Sequence, residues 1–151
     1  MTILRGVITQ GGADTFTSQS IDTQLSADGK AGWQINALKC YWQNGYTAAA
    51  ADAIANLVLA TIPTVTLPND AREIARVSWA VQNTAGVAVA FNFEPIKMAV
   101  ILEPRITVQP LIYIQANTTS TGLTNVMYWE LDYEIVKLAD LEVLRLLVGG
   151  T

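Results

Sequence analysis

The sequence predicts an all-β fold in which antiparallel strands form a sandwich or barrel. The stretch from residue 125 to residue 137 alternates between large apolar and mostly polar side chains, and this period of two is the signature of a half-buried strand. About eight strand-like segments recur at short spacing, separated by turn-forming residues. The chain of 151 residues fits one domain. Because one strand is unstable alone, the other segments must supply an opposing layer.

The other strands are inferred from the same alternation. Residues 15–25 are polar and fit either an edge strand or an extended arm, and Asp28-Gly29 is a turn signal. Pro104 and Pro110 favour edge strands or strand starts. Residues 105–116 are expected to form a hairpin with the C-terminal strand through the turn-forming residues 117–122. Further strands are predicted at residues 3–10, 33–42, 73–82, 87–93, 96–102 and 111–116.

One helix is predicted within this β pattern, over residues 47–62. Thr47 can cap it, the alanines that follow favour helix, and Ile54, Leu57 and Val58 lie at helical spacing. Pro63 ends it.

A second, short helix is predicted at residues 139–148. Asp140 is its N-cap, Gly149 closes it, and its apolar stripe consists of Leu141, Leu144, Leu147 and Val148. The stripe either covers the open end of the sandwich or docks on a neighbouring subunit.

The aromatic residues between positions 33 and 46 have two interpretations. Alternation places Trp33, Ile35, Ala37 and Tyr41 on one strand face, which predicts that Trp33 and Tyr41 are buried in the core. Trp42 and Tyr46 are then the candidates for an exposed surface, either a subunit contact or a platform that stacks on sugar rings.

The composition excludes several kinds of chemistry. The chain has no histidine, so Ser-His and Cys-His pairs and histidine metal ligands are absent. We therefore predict a protein that is not an enzyme, with no catalytic, cofactor-binding or metal-binding residue. Its single cysteine, Cys40, excludes an intrachain disulfide and is expected to be a buried structural residue. A net charge of -4 argues against non-specific nucleic-acid binding.

Three carboxylates, Glu130, Asp132 and Glu134, lie on one face of the C-terminal strand at intervals of roughly 7 Å. One interpretation is a solvated face whose charges prevent unwanted association. The other is a binding site for a hard cation such as calcium, completed by main-chain oxygens of a neighbouring segment.

The order of the elements resembles the single jelly-roll coat proteins of small icosahedral viruses and phage-like particles. The features that carry this resemblance are the eight or so short strands, the inserted helix, and the closing strand at residues 127–135 around a Tyr-Glu pair. The resemblance covers nearly the whole chain. It implies one jelly-roll domain over residues 1–151, with residues 1–25 as an arm or edge strand and residues 139–151 as a helix and tail.

The same resemblance implies a structural virion protein that self-assembles into a closed icosahedral shell. Its partners would be other copies of itself and other capsid proteins, in the virion, after assembly in the host cytoplasm. Coat proteins that package nucleic acid often carry a basic N-terminal arm, but Arg5 is the only basic residue before Lys30. Direct nucleic-acid binding is therefore expected to be weak or absent.

The N-terminus lacks the order of a signal peptide. The most apolar helix candidate is too short and polar to cross a bilayer, so no membrane partner is predicted. The alternative function is a carbohydrate- or receptor-binding β-sandwich, such as a fibre-tip or lectin-like module.

Overall fold

A computed structural model describes residues 2–25, 30–42, 53–84, 87–89, 96–122 and 124–139. All regular secondary structure in these ranges is β-strand, which confirms the all-β prediction. Within them, no helix has the length and apolarity needed to cross a membrane. The strands are β1 (Thr2–Thr9), β2 (Thr17–Asp22), β3 (Ala31–Trp42), β4 (Ala53–Ala60), β5 (Glu73–Thr84), β6 (Val87–Val89), β7 (Ile96–Thr107), β8 (Leu111–Thr119) and β9 (Val126–Lys137).

The strands form two antiparallel sheets that enclose one main core. The first sheet has the order β1-β9-β3-β7 and the second has the order β2-β8-β4-β5-β6. The pairings are nested, because β1 pairs with β9, β2 with β8, β3 with β7, and β4 with β5. The core joins the two inner faces; it includes Ile35, Leu38 and Leu131 from the first sheet and Leu57, Leu59 and Ile114 from the second. The predicted two-layer sandwich is thus confirmed.

Strand β9 occupies a central position between β1 and β3. As its alternation predicts, Met127, Trp129 and Leu131 are buried. Tyr133, on the same face, stacks on Trp33 with ring centroids 3.8 Å apart. The end of the strand extends beyond the core, so Ile135 is 65% exposed although it follows the same alternation.

The predicted hairpin between residues 105–116 and the C-terminal strand is wrong. Strand β8 pairs with β2 and β4 in one sheet, whereas β9 pairs with β1 and β3 in the other. The connection therefore crosses between the sheets. Both Ser120 and Gly122 have positive φ there, 56° and 69°. Turn-forming residues indicate that the chain changes direction, but they do not determine which sheet receives the next strand.

The predicted helix at residues 47–62 is wrong over β4, which is a strand from Ala53 to Ala60. This strand is paired on both sides, with β5 and with β8, and it buries Ala55, Leu57 and Leu59 in the core. Differences in helix propensity among ordinary residues are at most about 0.7 kcal/mol each, so pairing and burial outweigh them. Residues 47–52 of that helix lie outside the described residues.

Other predictions also fall outside the described residues. They are the Asp28-Gly29 turn, Tyr46, residues 90–93 of the predicted strand at 87–93, and the C-terminal helix beyond Ala139, including its apolar stripe. Of the remaining segments, residues 15–25 contain β2, an edge strand of the second sheet. The predicted strand at 96–102 continues to Thr107 as β7, which runs through Pro104 at an edge of the first sheet, where a proline is tolerated.

A β-bulge in β3 reverses the predicted faces of its second half. The register with both neighbouring strands shifts between Ile35 and Ala37. Against β9 the bulge adds one residue to β3, which moves every later side chain to the opposite face. Trp42 is consequently 2% exposed, and Tyr41 is 43% exposed, so both predictions were wrong. Cys40 is buried, as predicted, and burial raises the pKa of its thiol to about 12.

Gly6 allows the indole of Trp129 to lie against β1. The two residues are in register, and a Cβ at position 6 would lie 2.6 Å from Cε2 of the ring. We expect Gly6→Ala to lower the free energy of unfolding by about 1–3 kcal/mol, as overpacking does, in urea denaturation. Gly11→Ala is the matched control, because nothing lies within 4 Å of its Cβ position. Equal effects of the two changes would contradict this packing.

Candidate functional site

The outer face of the first sheet carries exposed aromatic and charged side chains in two rows across the strands. One row consists of Val7, Tyr128 and Tyr41, which are in register on β1, β9 and β3. The two tyrosine rings lie 6.2 Å apart and are tilted by 47°. Each of the three side chains is more than two-fifths exposed. This face therefore presents apolar surface to its surroundings.

The second row is ionic and consists of Arg5, Glu130 and Lys39. Nε of Arg5 donates a hydrogen bond to Oε2 of Glu130 at 2.8 Å. This hydrogen bond is the main reason that the pKa of Glu130 lies below its usual value, and the charge of Lys39 acts in the same direction. The charge of Glu130 is thus compensated within the chain.

A shallow groove of about 320 Å³ lies along these rows. We call it the tyrosine groove; it is lined by Arg5, Gly6, Lys39, Tyr41, Tyr128, Trp129 and Glu130. The groove can bind a flat or apolar group against the tyrosines and can hydrogen-bond through the ionic row. The alternation of β3 placed Tyr41 in the core, so the sequence alone did not indicate this groove. The exposed position of Tyr41 depends on the bulge, for which the sequence shows no clear signal.

The carboxylate row does not form a metal centre among the described residues. Glu130, Asp132 and Glu134 are alternate residues of β9, between β1 and β3. Within the described ranges, no three acidic or cysteine side chains are close enough together to hold a metal ion. The calcium interpretation gains no support from this arrangement.

A second concave region of about 440 Å³ lies where the β2–β3 connection meets the first sheet. The stacked rings of Trp33 and Tyr133 form part of its wall, together with Leu4, Ile135 and residues 22–25. Asp22 accepts a hydrogen bond at 2.8 Å from the backbone N–H of Gln24, which stabilises the local turn. Asp22 is the one carboxylate of the described lining, and the hydroxyl of Thr23 donates to the backbone C=O groups of Gln109 and Pro110.

A buried polar network ties together the loops at one end of the molecule. Its centre is Asn125, which is fully buried. The side-chain amide of Asn125 donates to Oε1 of Gln10 at 2.8 Å and to Oγ1 of Thr121 at 3.1 Å. Its carbonyl accepts from Nε1 of Trp42 at 2.7 Å. The network therefore joins the β1–β2 loop, the β8–β9 loop and the end of β3.

Asp14 extends the network to the surface. Its carboxylate accepts hydrogen bonds from the hydroxyls of Thr118 and Thr121 and from the backbone N–H groups of Thr121 and Gly122, at 2.6–3.1 Å. Burial alone would raise the pKa of Asp14, but these hydrogen bonds outweigh it and lower the pKa below 3.8. The residue has a φ of 53°, which Asp and Asn tolerate better than most residues do. No pattern in the sequence indicated this role.

The lowered pKa of Asp14 predicts a pH-dependent contribution to stability. Because the folded pKa is lowered, the contribution is present above pH 3.8 and is lost as the pH falls through the folded value. At pH 7 we expect Asp14→Asn to destabilise the protein by about 1.5–3 kcal/mol, the range for hydrogen bonds to charged groups. The difference between the variant and the wild type should shrink below pH 3.8 in urea denaturation. A difference independent of pH would contradict the role of the charge.

Comparisons with known proteins give a structural similarity at low sequence identity. No family model matches the chain, and no curated protein matches it. A solved structure of desmodium yellow mottle tymovirus contains a similar chain, with 11% sequence identity and a TM-score of 0.33, over 92% of this chain and 90% of that one. At this level of similarity, the description of the fold rests on the strand pairing of the chain itself.

Proposed function

We propose that this chain is a non-enzymatic structural subunit, a jelly-roll capsid protein that associates with copies of itself into a closed icosahedral shell of a virion. The observation that carries the proposal is the nested pairing of the strands. A jelly roll is a two-sheet sandwich of eight strands built from two Greek keys, and viral capsid domains use it. Strand β6 has three residues and pairs with the end of β5 at the sheet edge, which leaves eight principal strands among the described residues.

The nested pairing fits a jelly roll because of how that fold is wound. In a jelly roll, the first strand pairs with the last, the second pairs with the next to last, and the pairing continues inward in this way. The resulting antiparallel ribbon is rolled up, and its strands then alternate between two sheets. The four pairs β1–β9, β2–β8, β3–β7 and β4–β5 follow this scheme. The sheet orders β1-β9-β3-β7 and β2-β8-β4-β5 agree with it as well.

Because one fold can host several functions, the proposed self-association needs separate support from the surface of the protein. The outer face of the first sheet exposes Val7, Tyr41, Tyr128 and Met98. Aromatic residues and methionine are enriched in protein interfaces, and contiguous exposed apolar surface marks interaction sites. The Arg5–Glu130 pair next to them lowers the cost of burying this face, because a paired charge is less costly to bury than an unpaired one. These features suit burial between copies.

The test is assembly of the purified chain, followed by size-exclusion chromatography and electron microscopy. We expect large closed particles from the wild type. The double variant Tyr41→Ala/Tyr128→Ala should form at least tenfold fewer particles while keeping its thermal unfolding transition, because both side chains are exposed. Leu111→Ala on the outer face of the second sheet is the matched control, since Leu111 is 41% exposed.

Two results would contradict the proposal in different ways. A wild-type chain that remains monomeric at all concentrations would exclude the capsid function. Particles that are lost in the Leu111 control and unaffected in the tyrosine variant would exclude the tyrosine groove as the contact surface.

The second candidate function is carbohydrate binding, and the exposed tyrosine pair favours it. Tyrosine rings stack on sugar rings, and the neighbouring ionic row supplies hydrogen-bond donors and acceptors. A monomeric protein that binds a glycan array, and loses this binding in the Tyr41→Ala/Tyr128→Ala variant, would establish this alternative.

A further inference from the structure

Strand β1 is an end strand of the first sheet, and among the described strands one of its two backbone edges is unpaired. It pairs with β9 over all its residues from Thr2 to Thr9. In the described part of the chain, no other strand pairs with it. Gln10 continues this pairing with the same side of the sheet, because its backbone N–H donates to the C=O of Asn125 at 3.0 Å. An edge strand of this kind presents a row of free N–H and C=O groups that can pair with another chain.

The other three sheet edges carry features that hinder pairing. Strand β7 contains Pro104, which lacks a backbone N–H. Strand β6 has three residues, and β2 has six and ends at the exposed Asp22. Proteins use such devices to prevent association through sheet edges. Within the described residues, β1 is the edge strand that combines eight residues with the absence of proline.

The side chains of β1 also favour pairing. The strand has no proline, and its single charged residue, Arg5, already pairs with Glu130 of the same chain at 2.8 Å. Ile3 and Val7 are exposed on the outer face. Their burial against another strand would remove apolar surface from water.

We propose that β1 pairs in antiparallel orientation with β1 of a second copy, across a two-fold axis perpendicular to the sheet. The two four-stranded sheets then form one continuous sheet of eight strands. This inference rests on the self-association of the proposed function and identifies one contact of the assembly. Self-pairing is consistent with two-fold symmetry, because an antiparallel pair of identical strands is isologous.

The faces of the strand restrict the register of this pairing. The two-fold axis keeps the inner faces of both copies on the same side, so residues that lie opposite each other must point to the same face. This condition holds only when the axis passes between one residue and the same residue of the second copy. An axis at Arg5 places two guanidinium groups opposite each other, which is unfavourable. An axis at Gly6 instead places Arg5 opposite Val7, Leu4 opposite Ile8, and Ile3 opposite Thr9 of the second copy, and it pairs residues 3–9. The structure therefore favours the register centred on Gly6.

Disulfide cross-linking tests this register directly. The variant Ile3→Cys/Thr9→Cys places two thiols opposite each other in the proposed dimer, and the native Cys40 is buried. With oxidised glutathione as the oxidant, we expect a covalent dimer on a non-reducing gel in at least tenfold excess over either single variant. The matched control is Ile3→Cys/Val7→Cys, which would cross-link in the register centred on Arg5. Thermal unfolding of each reduced variant verifies that it is folded.

The outcomes separate this inference from the proposed function. Dimers from the Ile3/Thr9 variant alone would support the Gly6-centred contact. Equal or greater cross-linking of the Ile3/Val7 control would overturn the register. Particles formed by a wild type whose folded Ile3/Thr9 variant does not cross-link would overturn the β1 contact and leave the capsid function intact. A wild type without particles, together with absent cross-linking, would overturn both.

Discussion

Leu57→Ala should lower the free energy of unfolding by about 2–5 kcal/mol, the range for removing a buried leucine side chain. Leu57 points from β4 into the core and is 0% exposed. The loss combines reduced burial of apolar surface with the cavity left behind, because neighbours in a central strand relax only partially. Urea denaturation monitored by tryptophan fluorescence measures the change, and Trp79 on the adjacent strand β5 serves as a reporter.

The matched control is Ile54→Ala in the same strand. Ile54 is 43% exposed on the outer face, so its replacement should cost less than about 1 kcal/mol. In a helix, Ile54 and Leu57 would share one face, and both changes would then be costly. The difference between these variants therefore distinguishes the strand in the structure from the helix that the local sequence favours, and equal losses would contradict the strand.

Asn125→Ala should destabilise the protein by about 3 kcal/mol, because it removes three hydrogen bonds from a buried network. The indole N–H of Trp42 loses the side-chain carbonyl of Asn125 as an acceptor, and Oε1 of Gln10 and Oγ1 of Thr121 each lose one donor. Each such hydrogen bond contributes about 0.5–1.5 kcal/mol, and the members of one network are not independent. Urea denaturation at pH 7 gives the magnitude.

Asn117→Ala is the control for Asn125→Ala. Asn117 lies on the outer face of β8 and is only partly buried, so its replacement should change stability by less than about 0.5 kcal/mol. The loss in the Asn125 variant should also be smaller when Gln10 has already been replaced by alanine, because the two residues share a hydrogen bond. Additive losses would mean that the network does not act as a unit.

Local periodicity was sufficient to predict the buried face of a strand that kept one unbroken alternation. The buried side of β9 followed from residue pattern alone, and the edge position of β2 was one of the two alternatives that its polar pattern allowed. A period of two in apolar residues requires that one face of the strand pack against a core. The burial of a side chain such as Leu131 can therefore be predicted without knowing which strands pair with β9. The absence of histidine likewise restricted the chemistry, because it is a property of composition alone.

The outer surface could not be predicted in the same way. The bulge next to Asn36 exposes Tyr41 and buries Trp42, so one inserted residue creates the tyrosine groove. The Arg5–Glu130 pair and the Gln10–Asn125 hydrogen bonds join residues more than 100 positions apart. No spacing in the sequence identifies such partners.

The sequence by itself determined that this chain forms alternating strands with a large apolar inner face and contains no histidine. Only the tertiary structure decided that β4 is a strand, that β8 and β9 belong to opposite sheets, and which aromatic residues face outward. The physical reason is the range of the interactions. Alternation and turn preference act between neighbouring residues, whereas strand partners, register and buried hydrogen bonds depend on segments that meet only when the two sheets close on each other.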